Sequence, residues 1–254
     1  MSALDLSPAP GPAPARRRIL RHAHTEATLL VRNGEQLLLA LVIPIAALIG
    51  GRLLGPRLGL DLAVTAPSVL GLAIWSSGFT SLAVSTGFER RYGVLERLAA
   101  TPLTRTGLVT GKALAILLVT ACQLVILTGV ALALGWRPVV TLPALGVSVV
   151  AVPLALLAFA AWGLALAGTL RAEITLATAN LIYLAMLAVG AVLVPVADHP
   201  AWAQPVVALL PTAALGEILR TAAGGTALLL PLLVLAAWAL LGLLVARKVF
   251  RWMS

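Results

Sequence analysis

Apolar residues run along the chain in long uncharged stretches, separated by short clusters of charge. A helix needs about 20 apolar residues to cross the hydrocarbon core of a bilayer, and most of these stretches are that long. None alternates apolar and polar positions with a period of two, as the strands of an outer-membrane barrel do. The pattern predicts an all-α integral membrane protein. The stretches without Asp, Glu, Lys or Arg are 36–51, 62–88, 113–136, 138–170, 174–197, 200–216 and 221–246.

The placement of Lys and Arg favours six membrane crossings over seven. With six spans and both termini in the cytoplasm, 14 of the 18 Lys and Arg residues lie inside, whereas fewer do if residues 200–216 also cross, because the basic C-terminal residues then lie outside. The first arrangement fits the positive-inside rule better. Residues 200–216 are also short and interrupted by prolines, so 197–224 is predicted to be an external re-entrant or interfacial segment before the sixth span. The predicted spans are 37–54, 62–86, 108–134, 141–169, 174–196 and 225–246.

The residues before the first span divide into two parts. Residues 1–15 are rich in Pro and Ala and are predicted to form a disordered cytoplasmic tail. Residues 16–35 are predicted to form an amphipathic helix at the cytoplasmic membrane interface, with a solvated charged tail as the alternative. The apolar residues at helical spacing in this segment are Ile19, Ala23, Ala27 and Leu30. The remaining residues, 36–254, form the predicted transmembrane domain.

Residues 88–102, between the second and third spans, carry an ordered mixture of charges. On a helical wheel Phe88, Tyr92, Leu95 and Ala99 share one face, with Glu89 and Glu96 on one flank and Arg90 and Arg97 on the next. Thr101 and Pro102 then end the helix. Arginines alone would satisfy membrane topology, but acidic residues contribute little to it. The mixed-sign face therefore predicts a docking site for a polar protein partner, and a membrane-bound connector is the alternative.

This loop carries a family resemblance. The segment GFERRYGVLERLAATPLTRTGLVTGKAL (87–114) resembles the cytoplasmic loop of type-2 ABC exporter permeases, which include drug-efflux and polysaccharide-export subunits, and the drug-efflux branch is the expected one. PTAALGEILR (211–220) resembles the stretch before the last span of that family. The order of predicted elements also matches over nearly the whole chain. The matching loop residues are Glu89 and Arg90, then Gly93, then Leu95 to Leu98, then Thr101 to Leu103.

The resemblance implies a function and a set of partners. The chain would be the permease subunit of an exporter, and a separate cytoplasmic ATPase, which holds the ATP and Mg, would dock on the loop 88–102. A second permease chain, identical or related, would complete a dimer. A composition biased towards Ala, Leu and Arg suggests a bacterium, so the expected location is the inner membrane. The residues implied in ATPase coupling are Glu89, Arg90, Arg91, Gly93, Leu95, Glu96, Arg97, Thr101, Pro102 and Leu103.

Other candidate chemistry is weak, and the chain is not predicted to be an enzyme. The stretch from Gly107 to Ala113 has one residue too few between its glycines for a phosphate-binding loop, and Ala follows its lysine. Gly107 and Gly111 instead suggest a close helix contact. His22 and His24 lie on different helix faces without nearby ligands, so no metal site is predicted. The net charge of +9 lies at the ends of apolar stretches, which indicates a membrane surface and not nucleic acid as the partner.

The predicted spans contain polar and aromatic residues but almost no charge, and this suggests an amphipathic or hydrophobic cargo such as a drug, an antibiotic or a lipid. Ordinary helix packing is the alternative role for each of these residues. A non-transporting membrane anchor for a cytoplasmic partner is the alternative function. An ion-coupled transporter is disfavoured, because the spans carry so little charge and the sequence shows no visible inverted repeat. The candidate path residues are Trp75, Ser76, Phe79, Thr86, Gln123, Asn180, Tyr183 and Met186.

Overall fold

The computed structural model describes residues 11–58 and 61–249, and every regular element within these ranges is helical. This confirms the predicted all-α class. A π-helical segment, Ser76–Ser81, joins α3 to α4, and a 3-10 turn, Val196–Asp198, precedes α9. The α-helices are α1 (Ala15–Arg32), α2 (Gly34–Leu58), α3 (Leu62–Trp75), α4 (Leu82–Arg91), α5 (Val94–Ala99), α6 (Arg105–Ala133), α7 (Leu142–Thr169), α8 (Ala172–Val189), α9 (Gln204–Val207), α10 (Pro211–Ala223) and α11 (Leu230–Val249).

Five helical stretches are long and apolar enough to cross a membrane, which agrees with a multi-pass membrane protein. The apolar part described for α2, Ala40–Gly55, is shorter than these five, so the total of six spans stays a prediction. The predicted tail 1–15 lies largely outside the described residues. The five stretches are Leu62–Arg91, Thr106–Ala133, Leu142–Thr169, Ala172–Val189 and Leu230–Val249.

Two predicted spans have the wrong ends. The fifth was expected to reach residue 196, but α8 ends at Val189. There the Thr212 hydroxyl of α10 donates a 2.7 Å hydrogen bond to the Gly190 carbonyl, and Ala191 has a φ of 51°, which takes the chain out of the helical path. The sixth was expected to begin at residue 225, but α11 begins at Leu230. Gly225 has a φ of 83°, a left-handed conformation that favours glycine and ends α10 instead of beginning a helix.

The segment 197–224 is more firmly packed than a surface loop. Its main helix, α10, contacts α3, α7 and α11, and Leu215 and Ile218 are fully buried. The Arg220 guanidinium donates hydrogen bonds to the Ser68 hydroxyl of α3, the Ala191 carbonyl and the Glu217 carboxylate at 3.0, 2.9 and 2.9 Å. A buried arginine is tolerated only with such partners, and these contacts fix α10 against α3. Its predicted external, re-entrant position stays a prediction.

The core lies where the π-helical segment meets α7. Trp75 stacks on Phe79 with ring centroids 4.5 Å apart, and Phe159 of α7 meets Trp75 edge-on at 4.7 Å. Glycines permit this approach: a Cβ on Gly78 would lie 3.1 Å from the Phe159 Cβ, and one on Gly163 would lie 2.9 Å from the Phe79 carbonyl oxygen. The aromatic residues of the second span are therefore part of the packing between helices.

Candidate functional site

The charged loop forms two helices, and the prediction of one continuous helix over 88–102 is wrong. α4 ends at Arg91, and α5 begins at Val94. Between them Gly93 has a φ of 66°, which turns the chain out of the helical path at low cost only because glycine lacks a Cβ. Glu89 and Glu96 consequently belong to different helices and do not form the predicted ladder of charges.

The charges before Gly93 have partners within the chain. The Lys112 ammonium of α6 donates a 2.7 Å hydrogen bond to Glu89, and Arg90 donates one of 2.9 Å to the Ala167 carbonyl of α7. Arg91 pairs with Glu173 of α8. The last turn of α4 is thus connected to three other helices. Gly87, one turn earlier, faces Thr175, whose Cγ2 would lie 3.3 Å from an added Cβ, so α4 and α8 also pack closely.

The charges after Gly93 are exposed. Glu96 and Arg97 both lie at the surface of α5, and Tyr92 beside them is 65% exposed. Leu95 on the opposite face is fully buried and anchors α5. We call Tyr92, Glu96 and Arg97 the α5 surface. Its mixed charge resembles the predicted docking face, but it is smaller.

The loop ends in a capped entry to α6. Thr101 and Pro102 are exposed and Leu103 is half-buried. The Thr104 hydroxyl accepts a 3.1 Å hydrogen bond from the backbone N–H of Gly107, which is the usual bond of a helix N-cap. Short connections therefore join α5 to α4 on one side and to α6 on the other. A displacement of α5 would act on both of these helices.

A buried ionic cluster joins α1, α4 and α6. The Lys112 side chain is only 2% exposed, and its ammonium donates to Glu26 at 2.9 Å as well as to Glu89. His22 Nε2 lies 3.6 Å from the second oxygen of Glu26. Burial is the largest effect on His22 and lowers its pKa; Lys112 acts in the same direction, against Glu26 and a backbone hydrogen bond at Leu108. We call His22, Glu26, Glu89 and Lys112 the ionic cluster.

The same helices meet through two glycines. A Cβ on Gly111 would lie 2.5 Å from His22 Cδ2, and a Cβ on Gly107 would lie 3.4 Å from Ile19 Cγ1. The close helix contact predicted for this glycine pair is therefore present, and its partner is α1. Ala23 and Ala27, on the predicted apolar face of α1, are buried. α1 is helical as predicted, while its place at the membrane interface stays a prediction.

A polar groove of about 500 Å³ lies between α2, the π-helical segment and α8. Four of the predicted path residues line it: Ser76, Gln123, Asn180 and Tyr183. Gln123 donates a 2.7 Å hydrogen bond to the Ala40 carbonyl and accepts one of 2.9 Å from Ser77. This bridge connects α6, α2 and the π-helical segment at the edge of the groove.

The other predicted path residues lie elsewhere. Trp75 and Phe79 belong to the aromatic core described above, and Thr86 is buried within the helix packing. The Met186 sulfur lies 3.9 Å from the Thr212 hydroxyl, at the junction of α8 and α10. None of these four lines the groove in the part of the chain that the structure describes. Helix packing, the alternative considered for each residue, describes their surroundings.

Sequence reasoning missed the ionic cluster. Glu26 was one charge in a basic helix, and Lys112 was a charge before an apolar stretch, so neither had an obvious partner. One signal was available: Lys112 lies within the predicted third span, 108–134, where apolar helices are expected to surround it. A buried ammonium needs carboxylate partners. Among residues 11–58 and 61–249, no three His, Cys, Asp or Glu side chains cluster in a way that could hold a metal ion.

Comparison with known proteins points to one family. The model of a family described as "ABC-2 family transporter protein" matches residues 61–248. The matched region begins before α3, ends within α11, and contains the charged loop. It also contains the part of the polar groove lined by α3, the π-helical segment and α8, but not the part lined by α2. No curated protein matches the chain significantly.

Proposed function

The chain belongs to the ABC-2 family of transporter proteins, whose members are membrane subunits of ABC transporters, and we propose that it exports an amphipathic or hydrophobic compound. Energy would come from a separate cytoplasmic ATPase that holds the ATP and Mg. A second permease chain, identical or related, would complete the transport path. The proposed location is a bacterial inner membrane with both termini in the cytoplasm.

The α5 surface is the observation that carries the proposal. Glu96 and Arg97 are exposed charges of opposite sign above the buried Leu95, an arrangement suited to a specific polar partner. The proposed coupling residues before Gly93 have a different role. Glu89, Arg90 and Arg91 would transmit the movement of α5, because they connect α4 to α6, α7 and α8.

The polar groove is the proposed cargo path. Its volume of about 500 Å³ falls within the range of small-molecule sites, about 300–1,000 Å³. Ser76, Gln123, Asn180 and Tyr183 offer hydrogen bonds without charge, while Ile43 and Leu176 supply apolar surface. Such a lining suits a compound with a large apolar part and a few polar groups.

Affinity purification of the tagged chain from its own membranes tests the proposal. We expect an ABC ATPase to co-purify. Reversing both charges of the α5 surface, with Glu96→Arg and Arg97→Glu, should weaken that association on the order of 100-fold, because like charges then meet across the interface. Arg171→Glu, a reversal at an exposed position between α7 and α8, is the matched control and should leave the association intact.

Transport is tested separately. In liposomes that contain the chain and its ATPase, an amphipathic fluorescent compound should move away from the ATPase side during ATP hydrolysis and should stimulate that hydrolysis. A chain that binds the ATPase and moves no compound would be a membrane anchor. A chain that purifies without any ATPase, or whose double reversal still binds one normally, would remove the proposed role of the α5 surface.

A further inference from the structure

A second cavity, of about 520 Å³, lies between α1, α2, α6 and the π-helical segment. α1 contributes one helical face to it, with His24, Ala27, Thr28 and Val31 at steps of three, one and three residues. The Gln123 bridge to Ser77 and Ala40 separates this cavity from the polar groove, because all three residues line both. We call it the α1 cavity.

One wall of the α1 cavity is apolar and borders the outer surface of the helices. α6 lines it from Ile116 to Ile126, a length of about 15 Å at the rise of an α-helix. Leu118 and Ile126 on this wall are also exposed at the protein surface. In a membrane protein such a surface faces lipid or another helix, so an apolar chain can reach the cavity from within the bilayer.

The ionisable groups of the cavity are basic. Arg32 and His24 line it, and no Asp or Glu does so among the described residues. Glu26, the nearest acid along α1, is directed to Lys112 instead. A cation beside an apolar cavity favours an anionic ligand group.

We propose that the α1 cavity binds a single-chain anionic amphiphile. Its carboxylate or phosphate lies by Arg32, and its alkyl chain follows the wall of α6. This binding needs neither an ATPase nor the α5 surface, so its failure would leave the proposed export function untouched, and the reverse also holds.

Cys122 provides a direct assay, because it is the single cysteine of the chain, is exposed and lines the cavity. We measure its rate of maleimide labelling in nanodiscs of uncharged lipid. Dodecyl phosphate should slow labelling about tenfold at ten times its Kd. Dodecyltrimethylammonium, with the same chain and the opposite charge, should leave the rate unchanged.

Two variants sharpen the result. Arg32→Gln should weaken the binding of dodecyl phosphate about tenfold, as expected for one charge-assisted hydrogen bond. The matched control is Val125→Cys in a Cys122→Ser background. Val125 is 73% exposed on the same helix and does not line the cavity, so its labelling should not respond.

Two outcomes would overturn the proposal. One is unchanged labelling of Cys122 at saturating dodecyl phosphate. The other is equal protection by both amphiphiles, or at position 125 as well, which would mean partition into the membrane only. If protection of Cys122 is specific, repeating the labelling with the ATPase and ATP present shows what kind of ligand the amphiphile is. Protection by a resident lipid persists during ATP hydrolysis. Protection by a transported compound falls as the compound is removed.

Discussion

Replacing Lys112 with Met would expose the energetic cost of the ionic cluster. The ammonium is 2% exposed and lies 2.9 and 2.7 Å from the carboxylates of Glu26 and Glu89. Met fills a similar volume but leaves the two carboxylates, whose side chains are 14% and 21% exposed, without their cation. Removal of one partner from a buried ion pair costs about 3–5 kcal/mol. We expect the free energy of unfolding of Lys112→Met to fall by that amount.

The assay is thermal unfolding in mild detergent, followed by circular dichroism. A loss of this size should lower the unfolding midpoint on the order of 10 °C. The control is the triple variant Lys112→Met, Glu26→Gln, Glu89→Gln, in which neutral amides replace both carboxylates. It should recover most of the loss, because an uncharged cluster avoids the desolvation cost of unpaired charge.

Either of two results would refute this reasoning. A Lys112→Met variant that unfolds at the wild-type temperature would mean that the carboxylates find water or other partners at no cost. A triple variant that is no more stable than Lys112→Met would mean that the lysine contributes through its packing and not through its charge.

Three further predictions concern α1 and the loop. Gly111→Ala should destabilise the chain by about 1–3 kcal/mol, because its Cβ would lie 2.5 Å from His22 Cδ2, whereas Gly129→Ala, with nothing within 4 Å, should be neutral or stabilising in the same thermal assay. Burial lowers the pKa of His22. The contribution of its neutral imidazole to stability should therefore be present above the unfolded-state pKa of about 6.5 and lost as the pH falls towards the lower folded-state pKa. If the unfolding midpoint of His22→Gln drops between pH 8 and 5.5 as much as that of the wild type, this prediction is contradicted. Gly93→Ala should cost about 1–2 kcal/mol at its φ of 66° and Gly93→Asn less, so equal midpoints for the two variants would count against a left-handed turn there.

The long apolar helices were predictable from the sequence. The uncharged stretches gave the positions of α6 and α7 closely, since residues 108–134 and 141–169 were predicted and the helices cover Arg105–Ala133 and Leu142–Thr169. Helices of this length are determined by local hydrophobicity, which needs no knowledge of neighbours. The exposed charges of α5 followed from the same kind of local pattern.

Features that depend on a distant partner were not predictable. The Gly190 carbonyl just after α8 is bonded by Thr212, 22 residues away, and Glu89 is paired with Lys112 on the next long helix. A helical wheel assigns each charge a direction but cannot tell whether that direction meets water, lipid or another helix. The break at Gly93 was a local signal, and it was overlooked because glycine is tolerated within many helices.

Gly93 divides one charged motif into two parts with different physical tasks. Before it, Glu89 holds α4 to the ionic cluster, and through Glu26 that cluster also reaches α1. After it, Glu96 and Arg97 are exposed at the surface, while Leu95 is the fully buried residue of α5. A rigid attachment on one side and an exposed surface on the other are what a lever requires, since a force applied at α5 can move α4 only if α4 does not unravel. In the proposed transporter the ionic cluster would hold the end of α4 in place, so that a movement at the α5 surface could reach α1 and α6 through Lys112 and Glu26.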